Sequence, residues 1–325
     1  MPPTLLFDRS DRARIEVTGA QAVATLNGLV TNDVAMLKRG QGEYAAALTA
    51  KGKIIADLRI LMLDDGLLLD TSARAAEGLR GMLGKYVNPR FATQRDVSET
   101  TGNVSLVGPG AMELLAGVTG LQMESLTGLL VHSHLKAQIG SASVTVLRAR
   151  ALGADLWDVF DLIVPRDAVQ PVMDELHDRG ATLSDASMWQ MLRVEAGTPE
   201  WGVDMDDSTL LQEANLEALH AVSYTKGCYV GQETVARIHF RGHVNRTLRR
   251  LNFTGDVIPP EGATLTDAEH RSVGEVRSRA RSDTEGVIGI GMVRREIDDG
   301  AALDVRWEGG GTEAMVMGKA KGSIE

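Results

Sequence analysis

The one cysteine of this 325-residue chain, Cys228, lies in the run Lys226-Gly227-Cys228-Tyr229-Val230-Gly231-Gln232-Glu233. A thiol acts as a nucleophile or soft metal ligand in its thiolate form, which is favoured where positive charge and water are both at hand. Lys226 can supply the charge, and Gly227 and Gly231 allow a sharp turn or a close approach of backbone to a ligand. The plain alternative is that Cys228 is a small buried apolar side chain. A second candidate is Asp57, a carboxylate in the otherwise apolar stretch Lys53 to Leu63, with Ile55 and Leu58 beside it. Turned into a pocket, it would have a perturbed pKa and could orient a ligand nitrogen. Turned outward, it is an ordinary solvated acid.

Other polar residues carry weaker signals. His239 and His243 follow Cys228 at i, i+4 spacing, but four ligands at a metal-binding spacing are absent, so no stable metal site is expected. Arg237, Arg241, Arg246, Arg249 and Arg250 cluster after the cysteine run. They could form a basic rim for an acidic tail or partner, or simply a solvated surface. The chain has no Walker A loop, no dinucleotide fingerprint after a strand and no Gly-x-Ser-x-Gly elbow.

The elements that must position these residues follow from periodicity. Leu5 to Asp8 and Arg14 to Val17 read as strands, and Gly19 to Val30 as an amphipathic helix. Glu43 to Thr49, Lys53 to Leu63 and Leu67 to Asp70 read as three strands turning at Lys51-Gly52 and Asp64-Asp65-Gly66. Thr71 or Ser72 caps a helix to about Tyr86, which Asn88-Pro89 stops. Strands from Val104, over Ser141 to Arg148 and over Trp157 to Val164 alternate with helices, the last capped by Ser184 or Asp185 and ending at Gly197. This order predicts an α+β fold. After Asn245, short apolar runs bounded by Gly, Pro and Asp predict an all-β unit. The length implies two or three domains. A net charge of −10 argues against a surface that is mainly a nucleic-acid footprint. The lone cysteine, the absence of a bilayer-length apolar run and a start without a signal-peptide pattern lead to the expectation of a cytoplasmic protein with no membrane association.

The eight-residue run resembles the signature of the YgfZ family, folate-binding proteins linked to iron–sulfur cluster assembly and repair, and all eight positions match. That family is related to the glycine-cleavage T-protein, an aminomethyltransferase. The stretch from Gly40 to Asp57 resembles the T-protein segment in which Asp57 corresponds to the catalytic carboxylate and Tyr44 to a tyrosine of the folate pocket. Arg193-Val194-Glu195-Ala196, followed by Trp201-Gly202-Val203-Asp204-Met205-Asp206, resembles a second T-protein segment. There Glu195 corresponds to a glutamate that accepts the pterin's paired N–H groups, and Trp201 to an aromatic against the folate. The T-protein counterpart of the cysteine run has no thiol, which favours the YgfZ class.

The resemblance implies a T-protein-like arrangement of two interleaved α+β units, roughly 1–50 with 141–245 and 51–140, plus a C-terminal β-barrel over 246–325. Together these would surround a central opening, with the barrel closing one side. It implies a tetrahydrofolate-binding accessory protein in assembly or repair of iron–sulfur enzymes, linked indirectly to tRNA modification and acting through Cys228 with Lys226. Iron–sulfur proteins or assembly factors are the expected partners, without stable nucleic-acid binding. The alternative is a folate-dependent aminomethyltransferase or demethylase using Asp57.

Overall fold

The computed structural model describes residues 3–319, so the last residues of the expected 246–325 unit lie outside the described residues. Strand β1 (Leu5–Asp8) begins a sheet that the chain leaves at once. The next five strands are β2 (Ala13–Thr18), β3 (Gly42–Leu48), β4 (Ile54–Met62), β5 (Gly66–Thr71) and β6 (Thr93–Asp96). They form a separate antiparallel sheet in the order β3-β4-β5-β2-β6. The chain then returns through β7 (Thr101–Val107), β8 (His134–Ile139), β9 (Ala142–Leu152), β10 (Trp157–Pro165) and β11 (Thr182–Leu183). These complete the first sheet in the order β11-β1-β7-β10-β9-β8. The strands are therefore apportioned differently from the expected split of 1–50 with 141–245 against 51–140. The tight turn at Lys51-Gly52 makes β3 the antiparallel neighbour of β4, so both belong to one sheet, while β7 and β8 pair with β1, β9 and β10 in the other.

The remaining strands are β12 (Arg246–Phe253), β13 (Thr264–Thr266), β14 (Ser272–Ser282), β15 (Gly286–Arg294), β16 (Ala302–Trp307) and β17 (Gly310–Val316). They close into a barrel filled by Leu251, Leu265, Val276, Val287, Val293, Val305 and Val316, among others. The fold is α+β with a six-stranded C-terminal barrel.

Each open sheet buries one face under helices. Helices α1 (Ala22–Asn27) and α2 (Ala76–Tyr86) cover the five-stranded sheet, packing Leu26, Leu79 and Leu83 against Ile15, Ala56, Leu58 and Ile60. Helices α3 (Ala111–Thr119), α4 (Met123–Thr127) and α5 (Val169–Asp178) cover one face of the six-stranded sheet. Helix α6 (Ala186–Ala196) packs Leu192 and Ala196 on its other face. Asp185 caps α6 by accepting from the Ser187 and Met188 amides, and Gly197 ends it at φ 71°. Strand β6 eluded the periodicity because Thr93, Gln94, Arg95 and Asp96 are all polar and exposed. Helix α7 (Gln232–Arg241) buries only Val235 and so has no apolar stripe. Among the described residues no helix is long and apolar enough to cross a membrane.

Strand alternation decides what meets between the two open sheets. On β4, Ala56, Leu58 and Ile60 point to the helices, so Asp57, Arg59 and Leu61 point the other way. Arg59 stands opposite Asp70 of β5 and donates to its carboxylate at 2.7 Å. Its other end bonds Asp161 of β10, which also accepts from Ser105 of β7. Arg12, in the link between β1 and β2, grips Asp70 as well, at 2.9 and 3.1 Å. Arg14 of β2 donates to the Thr101 hydroxyl and carbonyl at 2.7 and 3.0 Å. Burial alone would push the Asp70 carboxyl up, but Arg12 and Arg59 hold it well below the usual carboxylate range.

Removing one partner of such a buried pair leaves the opposing charges unmatched, so Asp70→Asn is expected to cost about 3–5 kcal/mol at pH 7 in urea unfolding. Because the folded pKa is depressed, the ionised carboxylate stabilises the fold fully above its unfolded pKa of about 4 and progressively less below it. The gap between wild type and Asp70→Asn should therefore narrow as the pH falls below about 4, and a gap independent of pH would contradict the ion-pair account.

Candidate functional site

Beside the Arg59 bridge the two sheets leave a space. The space between them, α6 and the loop after it is a cavity of about 850 Å3 including its opening. Its wall includes Tyr44, Asp57, Asn103, His132, Trp189 and Trp201. A second hollow continues from the same Tyr44 and His132 past Glu43, Arg148 and His220. No residue of either lining comes from the barrel, so the expected closing of the opening by the barrel does not occur at this cavity. The barrel is held off by α6.

Tyr44 and Asp57 lie on adjacent strands with inward-facing side chains, and the Tyr44 hydroxyl donates to Asp57 Oδ2 at 2.7 Å. Asp57 Oδ1 is buried with no hydrogen-bond partner. Burial raises the Asp57 pKa, against the opposing pull of the Tyr44 hydrogen bond and the Arg12 charge. The ring of His132 stacks on Tyr44, with centroids 5.8 Å apart and planes 21° from parallel. Gly42 admits this arrangement, because a Cβ there would stand 2.2 Å from the His132 carbonyl oxygen. His132 has φ 69°, a left-handed conformation that non-glycine residues adopt rarely. Both of its ring nitrogens are buried and unpartnered, and burial drives its pKa well below the ordinary value. The amide nitrogen and oxygen of Asn103 are also buried without partners. Trp201 lines the cavity and directs its indole N–H to the Ile54 carbonyl at 3.4 Å.

The structure thus brings Tyr44, Asp57 and Trp201 together on one wall. Glu195 is absent from that wall. Its Oε1 accepts the Ser282 hydroxyl at 2.5 Å and its Oε2 the Ala154 amide at 3.0 Å, so both oxygens are used within the protein. With Arg193, which donates to the Ser278 hydroxyl at 2.5 Å and to Asp204 at 2.6 Å, it fastens α6 to barrel strand β14. His132, Asn103, Arg9 and Trp189 are cavity residues that motif matching misses. Their signal is modest: a histidine pair at Val131-His132-Ser133-His134, and polar residues interrupting apolar strands.

The thiol loop lies elsewhere. Neither lining includes a residue of the 226–233 run, although Asn32, whose carbonyl holds Lys226, lines the second hollow and donates to the Tyr44 carbonyl. Cys228 and Gly227 are exposed. Lys226 is buried, and its ammonium donates to the carbonyls of Asn27, Val30 and Asn32 at 2.7, 2.8 and 2.5 Å. Burial lowers its pKa to about 8, with Asp33 and Glu43 opposing the shift. Lys226 is thus committed to fastening the loop beneath the thiol, where the sequence reading placed a charge available to the sulfur. Tyr229 is buried, and Val230 bonds the Gly28 carbonyl at 3.2 Å. Gly231 opens α7 at φ 87°, where a Cβ would also meet the Thr49 carbonyl oxygen at 2.7 Å. Gln232 and Glu233 form the first turn of α7. His239 stacks on Tyr224 at 3.8 Å, and His243 is exposed. Among the described residues no group of three His, Cys, Asp or Glu side chains is arranged to hold a metal ion. The expected basic rim is divided: Arg246, Arg249 and Arg250 pair with Glu213, Asp299 and Glu285, while Arg237 and Arg241 are exposed.

Glu195→Ala would leave the Ser282 hydroxyl and the Ala154 amide without their acceptor. A loss of about 1–3 kcal/mol in unfolding free energy is expected. Unchanged stability combined with weakened ligand binding would instead return Glu195 to the ligand site.

Comparison with known proteins places these features. The family described as the GCVT N-terminal domain matches residues 4–225. The tRNA-modifying protein YgfZ of Yersinia pseudotuberculosis is 27% identical over 321 residues, covering 96% of this chain and 91% of that protein. The protein of the same name from Yersinia enterocolitica is 29% identical over 271 residues, covering 81% and 75%. The crystal structure of the glycine cleavage system aminomethyltransferase T from Bartonella henselae superimposes with a TM-score of 0.84 at 24% identity, covering 97% of this chain and 85% of that one, a likeness of fold. The chain belongs to the GCVT N-terminal domain family, with proteins named YgfZ among its relatives.

Proposed function

We propose that the cavity binds tetrahydrofolate or a derivative and that the protein serves, through Cys228, in assembly or repair of iron–sulfur enzymes. The observation that carries the folate reading is the set of buried, unpartnered polar atoms that line the cavity from both sheets: Asp57 Oδ1, both ring nitrogens of His132 and both amide atoms of Asn103. Each buried polar atom left without a hydrogen bond costs about 1–3 kcal/mol, so a ligand that satisfies several of them recovers much of that cost. A flat heteroaromatic ring with alternating donors and acceptors suits them, with Tyr44, His132 and Trp201 as apolar surfaces around it. Bound tetrahydrofolate carries one-carbon units on its nitrogens. Asp57 accepts a ligand N–H through Oδ1, while Tyr44 fixes Oδ2 and with it the carboxylate plane. Glu195, with both oxygens occupied, supports α6 and stays outside this set.

Titration calorimetry with tetrahydrofolate tests this assignment. Asp57→Asn, which replaces an acceptor by a group that can present a donor, should weaken binding by about 1–3 kcal/mol, roughly 5- to 150-fold in Kd. Equal affinity of wild type and variant would remove Asp57 from the site.

The iron–sulfur role draws support from the exposure of Cys228 on a loop fastened by Lys226 and Tyr229, which leaves the sulfur open to a partner protein. The relatives' name, tRNA-modifying protein, agrees with an effect on tRNA modification reached through iron–sulfur enzymes. Cys228→Ser should bind folate as wild type does but fail to restore iron–sulfur enzyme activity in cells lacking the protein. Full restoration by the serine variant would dismiss the thiol.

One feature favours a second reading, folate-dependent one-carbon transfer. The raised pKa of Asp57 lets it hold or release a proton beside a reacting nitrogen. Transfer to tetrahydrofolate that depends on Asp57 and not on Cys228 would select it.

A further inference from the structure

The cavity wall has a charged stretch that the Tyr44–Asp57 pair does not use. Arg9 follows β1, and Trp189 sits in the first half of α6. The Arg9 guanidinium lies over the Trp189 ring, 3.9 Å from its centroid. Phe7 braces that ring edge-on at 5.3 Å. A guanidinium stacked on indole keeps its plane fixed and its N–H groups pointing sideways, ready for a planar anion. Among the other arginines lining the cavity, Arg12 and Arg59 are bound to Asp70, Arg193 to Asp204 and Arg150 to the Leu219 carbonyl. Arg9 differs. Its guanidinium makes no hydrogen bond among the described residues: Nη1 is buried without a partner, and Nε stands 3.6 Å from the Asp11 carboxylate, outside hydrogen-bond reach.

The charged groups that act on Arg9 are Arg12, Asp11, Asp161 and Glu200. Asp161 is engaged by Arg59 and Ser105, Glu200 lies 3.3 Å from Arg193, and Asp11 is 73% exposed to solvent. None of them bonds the buried nitrogen. The exposure of Asp11 also shows that the Arg9 side of the wall adjoins bulk water. Burial and the neighbouring Arg12 charge lower the Arg9 pKa, so an incoming anion relieves both.

We propose that Arg9, stacked on Trp189, is the carboxylate subsite of the cavity, and that the ligand is a heteroaromatic compound with an anionic tail. This rests on the folate reading and deepens it: the ring lies against Tyr44, Asp57 and His132, and the glutamate carboxylate of the p-aminobenzoyl-glutamate portion pairs with Arg9. Arg9 acts here as a specificity-determining residue, since it distinguishes a ligand bearing the tail from the same ring system without it.

Calorimetry with two probes, tetrahydrofolate and tetrahydropteroate, which lacks the glutamate, tests the proposal on the full chain. Wild type should bind tetrahydrofolate at least tenfold more tightly. Arg9→Gln should abolish that preference by weakening tetrahydrofolate alone, and Arg9→Lys, which keeps the charge but not the planar stack, should retain part of it. Equal affinity of wild type for both probes, or equal weakening of both by Arg9→Gln, would overturn the subsite. If wild type bound neither probe, the folate reading itself would fail. Titration with p-aminobenzoyl-glutamate alone then decides the subsite: binding lost in Arg9→Gln supports it, and no binding overturns it. Should Arg9→Gln not fold, the wild-type comparison and Arg9→Lys still decide.

Discussion

The guanidinium of Arg59 is the contact on which the architecture turns. It reaches from the five-stranded sheet to the six-stranded one, holding Asp70 of its own sheet and Asp161 of the other. Two sheets that presented only apolar faces to each other would pack solidly at about 10 Å and leave no room. Here the apolar contact is confined to a small group around Leu61, Leu68, Leu147 and Ile163. The charged bridge sits beside that patch, and the cavity opens beyond it. Such a bridge is a poor source of net stability, because desolvation opposes the Coulomb attraction. What it provides is a fixed spacing between two walls that must not collapse.

The same logic explains why the cavity wall carries so many unsatisfied groups. Buried polar atoms in folded proteins are almost always hydrogen-bonded. Clustering of the exceptions on Asp57, His132 and Asn103, with a left-handed backbone at His132, marks a surface shaped for something other than its own stability. The wall and the thiol are also built on different supports. Strands β3 and β4 hold Tyr44 and Asp57, whereas Cys228 rides on an irregular segment fastened at Lys226, Tyr229, Val230 and Gly231. A strand-built pocket and a displayed thiol suit two separate events, small-molecule binding and contact with another macromolecule.

Much of this was legible in the sequence, for identifiable reasons. The hairpins, the caps at Ser72 and Asp185 and the barrel after Asn245 rest on local turn chemistry and period-two alternation, which need no tertiary information. Asp57 was legible as a carboxylate interrupting an apolar strand, but the pattern left it facing either a pocket or solvent, and the resemblance to the T-protein segment chose the pocket. The position of Glu195 was not, because the motif gives a residue its neighbours in sequence, while Ser282, its actual partner, lies 87 positions away. Arg9 was missed for a related reason: nothing in a chain segment says that a tryptophan on a distant helix will stack on it. Lys226 was read as a charge for the sulfur because the two are close in sequence. Its three carbonyl partners come from a turn almost two hundred residues earlier.

The placement of β1 has a consequence for how the chain is made. Strands β2 to β6 are contiguous and can pair as soon as residue 96 has left the ribosome. Strand β1 cannot. Its antiparallel neighbour β7 comes next, but its parallel neighbour β11 is not synthesised until residues 182–183. At ordinary elongation rates that is a wait on the order of ten seconds after the other sheet is complete. Through that interval Leu5 and Leu6 have an open edge beside them, and for most of it Arg59 has no Asp161 to meet. The nascent protein therefore carries one finished sheet and one half-built one, with the future cavity exposed between them. Strand β1, made before every strand of the five-stranded sheet, is flanked on both sides only after that sheet is complete.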